Sequence, residues 1–212
     1  MSKLSLNQKL NFIGVRLANT PKAVTEKQWV DIEETLYEAS KEVENDSRLF
    51  MLLCSWVKVH GAYVVIEKLM KLQKKEESKW LVALAIYAVE EKFHKWRSLV
   101  KKVKGKHSLS TVSIAEQSIK FKGAESAFYK NGFLIAKGSI RARDVDVATK
   151  EKLINENPQY KNRFIYGANW RSDIITAIEM GYENPYRITK ATGCSYPSAH
   201  KVFNDYKLAS GL

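Results

Sequence analysis

Six side chains able to donate or accept hydrogen bonds gather near the C-terminus of this chain: Ser195, Tyr196, Ser198, His200, Lys201 and Asn204. At helical spacing, Pro197, His200, Lys201 and Asn204 follow i, i+3, i+4 and i+7, while Ala199, Val202, Phe203 and Tyr206 follow the same steps on the opposite side. A short face of mixed donors and acceptors, backed by an apolar one, suits the reading of base edges in a major groove, where every base pair presents its own pattern. Catalysis has thinner support. His60, His94, His107 and His200 stand in no metal-ligand or triad spacing with cysteine or paired carboxylates. The stretch KGKHS lacks a full glycine-rich phosphate loop and follows no evident strand. Arg141, Arg143, Asp144 and Asp146 cluster beside an expected turn, the ordinary setting of solvated surface charge. No catalytic residue, metal site or cofactor is expected.

The elements that must position the polar face are marked by their punctuation. In NWRSDIITAIEMG, Ile174, Ile175 and Ile178 line one side of a first helix, and Gly181 fits the left-handed position after it. Asn184 caps a second helix with Pro185 at its first position, where the missing N–H costs nothing, and Ile188 and Ala191 form its inner side. Gly193 permits a sharp turn, Ser195 caps the third helix, and Pro197 falls within that helix's first turn.

This segment resembles the helix-turn-helix of bacterial transcriptional regulators. The resemblance rests on Ile188 five residues before the turn glycine, Gly193, on Cys194 after it, and on Ala199 and Val202 six and nine after it. Thr189 stands where a smaller residue, most often alanine, is usual. With YGANWRSDIITAI included, the segment is also similar to antitoxin-type regulators of abortive-infection systems. The resemblance implies that Ser195, Tyr196, Ser198, His200, Lys201 and Asn204 face the groove, and that Tyr186, Arg187 and Lys190 of the second helix touch the phosphate backbone. Arg171, at the start of the first helix, is a further phosphate candidate.

Ahead of this segment, residues 1–105 read as helix after helix. From Glu26 to Val43, Trp29, Ile32, Leu36, Ala39 and Val43 recur at helical steps, with Glu33, Glu34, Glu38 and Glu42 expected on an acidic outer face. DSRLFMLLCSWVKV and KWLVALAIYAV are apolar nearly all round, which suits enclosed helices, and EKFHKWRSLVKKV reads as a basic helix. GKHSLSTVS marks a domain boundary near residue 105. Beyond it, Asn131-Gly132 between two apolar runs predicts a β-hairpin, extended by SIRARDV, and Pro158 stops a following helix. The expected fold is mainly α: a helical bundle over 1–105, a mixed connector with a small β-hairpin over 106–165, and a trihelical helix-turn-helix domain over 166–212.

Charge then bears on partners. The chain of 212 residues has 35 Lys and Arg against 23 Asp and Glu, a net +12 that makes a polyanion the first partner to consider. Residues 47–106 carry 14 basic and 5 acidic residues, whereas residues 169–212 carry 5 and 4. The segment expected to read bases is nearly neutral, so phosphate attraction must come from elsewhere, and Lys101, Lys102 and Lys104 in the basic stretch 92–106 are the candidates. The expected partner is double-stranded DNA, bound by a homodimer held through the bundle. The alternatives are a helical adaptor with a protein partner on the bundle, and an RNA-binding protein using the basic stretch with Phe128, Tyr129 and Phe133. The longest apolar run, Trp80 to Val89, falls far short of the roughly 20 residues a bilayer crossing needs. With no export pattern at the N-terminus, a cytoplasmic protein without a membrane partner is expected. Cys54 and Cys194 read as buried thiols.

Overall fold

Asp31 opens the first long helix: its carboxylate accepts from the Glu34 N–H, and α2 runs Ile32–Glu42. Its stripe Ile32, Leu36, Ala39 and Val43 is buried, as the spacing requires. The computed structural model describes residues 4–17 and 29–211, so residues 26–28 of the expected helix lie outside the described residues, and Trp29 precedes the cap. Glu33 departs from the expected acidic outer face, being fully buried. Before α2, the Ser5-capped α1 (Leu6–Phe12) packs against it.

α3 (Arg48–His60) and α5 (Lys79–Glu90) form the centre, with α4 (Ile66–Lys75) against α2. Every residue from Trp80 to Ala88 is buried, because a helix that is apolar all round gains only when all its sides are covered. α6 (Val112–Lys122), α7 (Ser126–Lys130), α8 (Lys150–Glu156) and α9 (Pro158–Tyr166) follow. One continuous core runs from Leu10 through Phe50, Trp56, Phe133 and Leu153 to Tyr160. A second, smaller core lies towards the C-terminus, around Ile174, Ile188 and Phe203. Among the described residues no helix is long and apolar enough to cross a membrane. Cys54 and Cys194 are both free and buried.

Two expected elements are absent. The basic helix does not form: α5 ends at Glu90, Lys92 takes φ +69, and a 3-10 turn, His94–Leu99, precedes extended backbone at Val100. Trp96 decides this. Its indole is buried and donates to the Gly61 carbonyl at 3.0 Å, which pins the chain against the end of α3 and prevents a regular helix from continuing α5. The β-hairpin is also absent, and the described residues contain only isolated bridges such as Ala124 with Ala136. A two-residue I′ turn needs positive φ at both central residues, but Asn131 has φ −103 and caps α7 while only Gly132 is positive, at +97. The glycine serves close packing instead, since a Cβ there would stand 2.6 Å from the Val103 carbonyl oxygen. Nor does SIRARDV add a strand; it ends in a 3-10 turn, Asp144–Asp146, where Arg143 pairs with Asp146 at 2.7 Å.

His60, at the end of α3, is sealed beneath α9. Its Nε2 meets the Ala148 carbonyl at 3.0 Å and its Nδ1 meets the Tyr160 hydroxyl at 2.8 Å. A carbonyl only accepts, so Nε2 carries the proton and Nδ1 accepts from the tyrosine. Burial lowers the imidazole pKa from 6.5 to about 4, with the Ala148 hydrogen bond opposing the shift. Between those values the unfolded chain binds a proton that the folded chain refuses, so stability is full above 6.5 and falls as pH drops towards 4. Urea unfolding of the wild type is expected to lose about 2 kcal/mol from this group between pH 7 and pH 5. His60→Gln is expected to lack that component, and parallel pH profiles for the two chains would remove His60 as its source.

Candidate nucleic-acid interface

Three capped helices build the C-terminal face. In α10 (Trp170–Glu179), the Asn169 side chain accepts from the Ser172 N–H while Ser172 returns a bond to the Asn169 backbone. Asn184 caps α11 (Pro185–Thr192), accepting from the Arg187 N–H at 2.9 Å, with Pro185 at the first position. Gly193 then takes φ +73 and donates its N–H to the Thr189 carbonyl, ending the helix in the left-handed conformation that a side chain resists. Ser195 caps α12 (Tyr196–Ser210) by accepting from the Ser198 N–H. Ile174, Ala177, Ile188, Cys194, Ala199 and Phe203 close the small second core, flanked by Trp29 and Trp170.

That packing leaves one side of α12 open. Ser195, Tyr196, Ser198, His200, Lys201 and Asn204 are all exposed. The Tyr196 and His200 rings lie 5.9 Å apart, and the Asn204 amide nitrogen comes within 3.4 Å of the His200 imidazole, so the face is already loosely ordered. On α11, Tyr186, Arg187 and Lys190 are exposed, and the Lys190 ammonium lies over the Tyr186 ring at 5.4 Å. Arg171 is exposed at the start of α10. None of these cations forms an ion pair among the described residues. Lys101, Lys102 and Lys104 are exposed as well, but they line a cleft at the ends of α2 and α5 whose walls include no residue of α10, α11 or α12.

A different set of lysines meets the C-terminal unit. Lys71, Lys74 and Lys75 of α4 border a groove of about 290 Å³ together with Gly193 at the turn before α12. The Lys71 ammonium reaches the Gly193 carbonyl at 3.3 Å and lies over the Trp170 ring at 4.4 Å.

Beneath that groove, buried charges fix α9 and α10 to α2 and α4. Arg163 gives both terminal nitrogens to Glu33, at 2.6 and 2.7 Å, and its Nε to Asp173 at 2.8 Å. Lys68 bonds Asp31 and also Asp173, the latter at 2.7 Å. The Val65 N–H donates to Glu33, and the Gln159 amide donates to Asp173. Burial drives the Asp173 carboxyl upward, but Arg163 and Lys68 outweigh it and hold the group at about 2 instead of 3.8. Burial leaves the Glu33 carboxyl above its ordinary value despite Arg163. Asp31, Glu33 and Asp173 bring oxygens within 4.8 Å of one another, a trio of hard ligands by type. Their oxygens are occupied by Lys68 and Arg163, so the cluster is an internal ion network whose positive charges come from the chain itself.

No protein-family model matches the chain, and no curated protein or solved structure is similar to it.

Sequence reasoning missed the lysines of α4 and the ion network for different reasons. Lys71, Lys74 and Lys75 stand at i, i+3 and i+4, so a shared basic helix face was legible, but its place beside Gly193 was not. Glu33 and Arg163 are 130 residues apart, and no local signal marks either as buried.

Proposed function

We propose that the chain is a sequence-specific DNA-binding protein of the regulator or repressor type, with α11 and α12 as the turn and reading helices of a helix-turn-helix. One observation carries this reading: six hydrogen-bonding side chains share the solvent-facing side of α12, while its other side closes a small core. The arrangement supports Ser195, Tyr196, Ser198, His200, Lys201 and Asn204 as base readers, and Tyr186, Arg187, Lys190 and Arg171 as backbone contacts. The charge that residues 169–212 lack is supplied by Lys71, Lys74 and Lys75 beside the turn. Two such heads on a symmetric dimer would read half-sites about 34 Å apart, and the bundle offers the surface for pairing.

Selection of bound fragments from random duplex DNA at near-physiological salt tests the proposal. An enriched, two-fold repeated motif is the expected result. A pool that stays random, or preferential retention of structured RNA over duplex, overturns it. Backbone contact is tested separately. Lys74→Ala/Lys75→Ala is expected to flatten the slope of log affinity against log salt by about 2 units, each neutralised phosphate contributing roughly 0.9. An unchanged slope would take these lysines off the DNA path. Lys71 is left in place because it packs on Trp170.

A further inference from the structure

The lysines at 101, 102 and 104 belong to a concave site with its own chemistry. The cleft they line has a volume of about 730 Å³ and lies between the C-terminal end of α2, the first turn of α5 and the strap of residues 101–107. Its walls carry five ammonium groups, Lys41, Lys79, Lys101, Lys102 and Lys104, against the carboxylates of Glu44 and Glu77. Lys41 is held by Glu76 at 2.6 Å, Lys79 by Glu44 at 2.5 Å and Lys101 by Glu77 at 3.0 Å. Lys102 and Lys104 have no carboxylate partner among the described residues, so their charge is free to meet a ligand.

The same place favours an anion in a second way. The positive end of α5 forms the same wall, since Ser78, Lys79 and Trp80 are its cap and first two residues. The volume lies within the range of small-molecule sites.

We propose that this cleft binds a small phosphorylated ligand carrying a pyrophosphoryl or longer polyphosphate group, with Lys102 and Lys104 neutralising its charge beside the positive end of α5. The ligand is then a candidate effector of the chain, and the binding claim does not depend on the DNA reading.

Calorimetric titration of the full chain with sodium pyrophosphate, and separately with ATP, tests it. Saturable binding of at least one is expected. Tighter binding of ATP assigns a nucleotide, whereas equal binding assigns the phosphoryl group alone. Lys102→Ala/Lys104→Ala is expected to weaken binding at least tenfold. Lys74→Ala/Lys75→Ala is expected to bind as the wild type does. Absence of saturable heat with both probes, or equal binding by the Lys102/Lys104 variant, overturns the proposal. So does a flattened DNA salt slope in that variant with its pyrophosphate affinity intact, since the lysines would then serve duplex DNA. Failure of the fragment selection leaves these titrations untouched.

Discussion

Arg163→Met lowers the unfolding free energy by about 3–5 kcal/mol, the usual consequence of removing one partner from a buried ion pair. The guanidinium is fully buried and bonds Glu33, Asp173 and the Tyr63 carbonyl, so its loss leaves three carboxylates facing the single ammonium of Lys68. Methionine fills much of the volume but offers no donor. For a chain of this length the change corresponds to a fall of roughly 10 °C in the thermal midpoint. Removing a carboxylate as well, in Glu33→Gln/Arg163→Met, is expected to recover part of the loss, because the remaining charge is better balanced. Denaturation of the single variant at the wild-type midpoint would mean that the network adds nothing to stability. The acid limb has a defined sign. With its folded pKa near 2 and its unfolded value at 3.8, Asp173 contributes stability that is full above pH 4 and is lost as pH falls towards 2.

The second large effect concerns recognition. His200→Ala and Lys201→Ala are each expected to reduce the preference for the selected motif over random duplex by about 1–3 kcal/mol, which is roughly 5- to 150-fold. Both side chains are exposed and lie outside the small core, so thermal stability is expected to stay within about 0.5 kcal/mol of wild type. The combination separates reading from folding. Lys74→Ala/Lys75→Ala, by contrast, is expected to weaken all duplexes alike, because phosphate contacts carry no sequence information. Retention of full preference by both α12 variants would move the base-reading role away from this helix and favour the adaptor alternative.

Local chemistry made the C-terminal helices legible from sequence. Asn184, Pro185, Gly193 and Ser195 each act through the backbone within a few residues, and each stands in the structure where its own chemistry requires. The apolar all-round character of residues 80–88 likewise announced an enclosed helix. What failed had a non-local cause. Asn131-Gly132 satisfies a turn rule, but Phe133 is drawn into the core against Trp80 and Phe128, and the glycine is used to pass the Val103 carbonyl. Residues 92–106 have helix-forming composition, yet the tie from Trp96 to Gly61 outweighs propensity. Glu33 sits among glutamates and looks solvated until Arg163 arrives from the far end of the chain. Lysines 71, 74 and 75 could be counted in the sequence, but their neighbour, Gly193, could not be guessed from it.

The distance along the chain between Glu33 and Arg163 also sets an order of assembly. On the ribosome, Asp31, Glu33 and Lys68 emerge long before α9 and α10, and two carboxylates with one ammonium make a poor wall for a finished bundle. The ion network is therefore completed only when residue 173 has left the ribosome and can meet Lys68 and Arg163. A chain clipped just before that point carries every buried residue of the large core, but it leaves Arg163 and Lys68 without Asp173 and lacks the small second core.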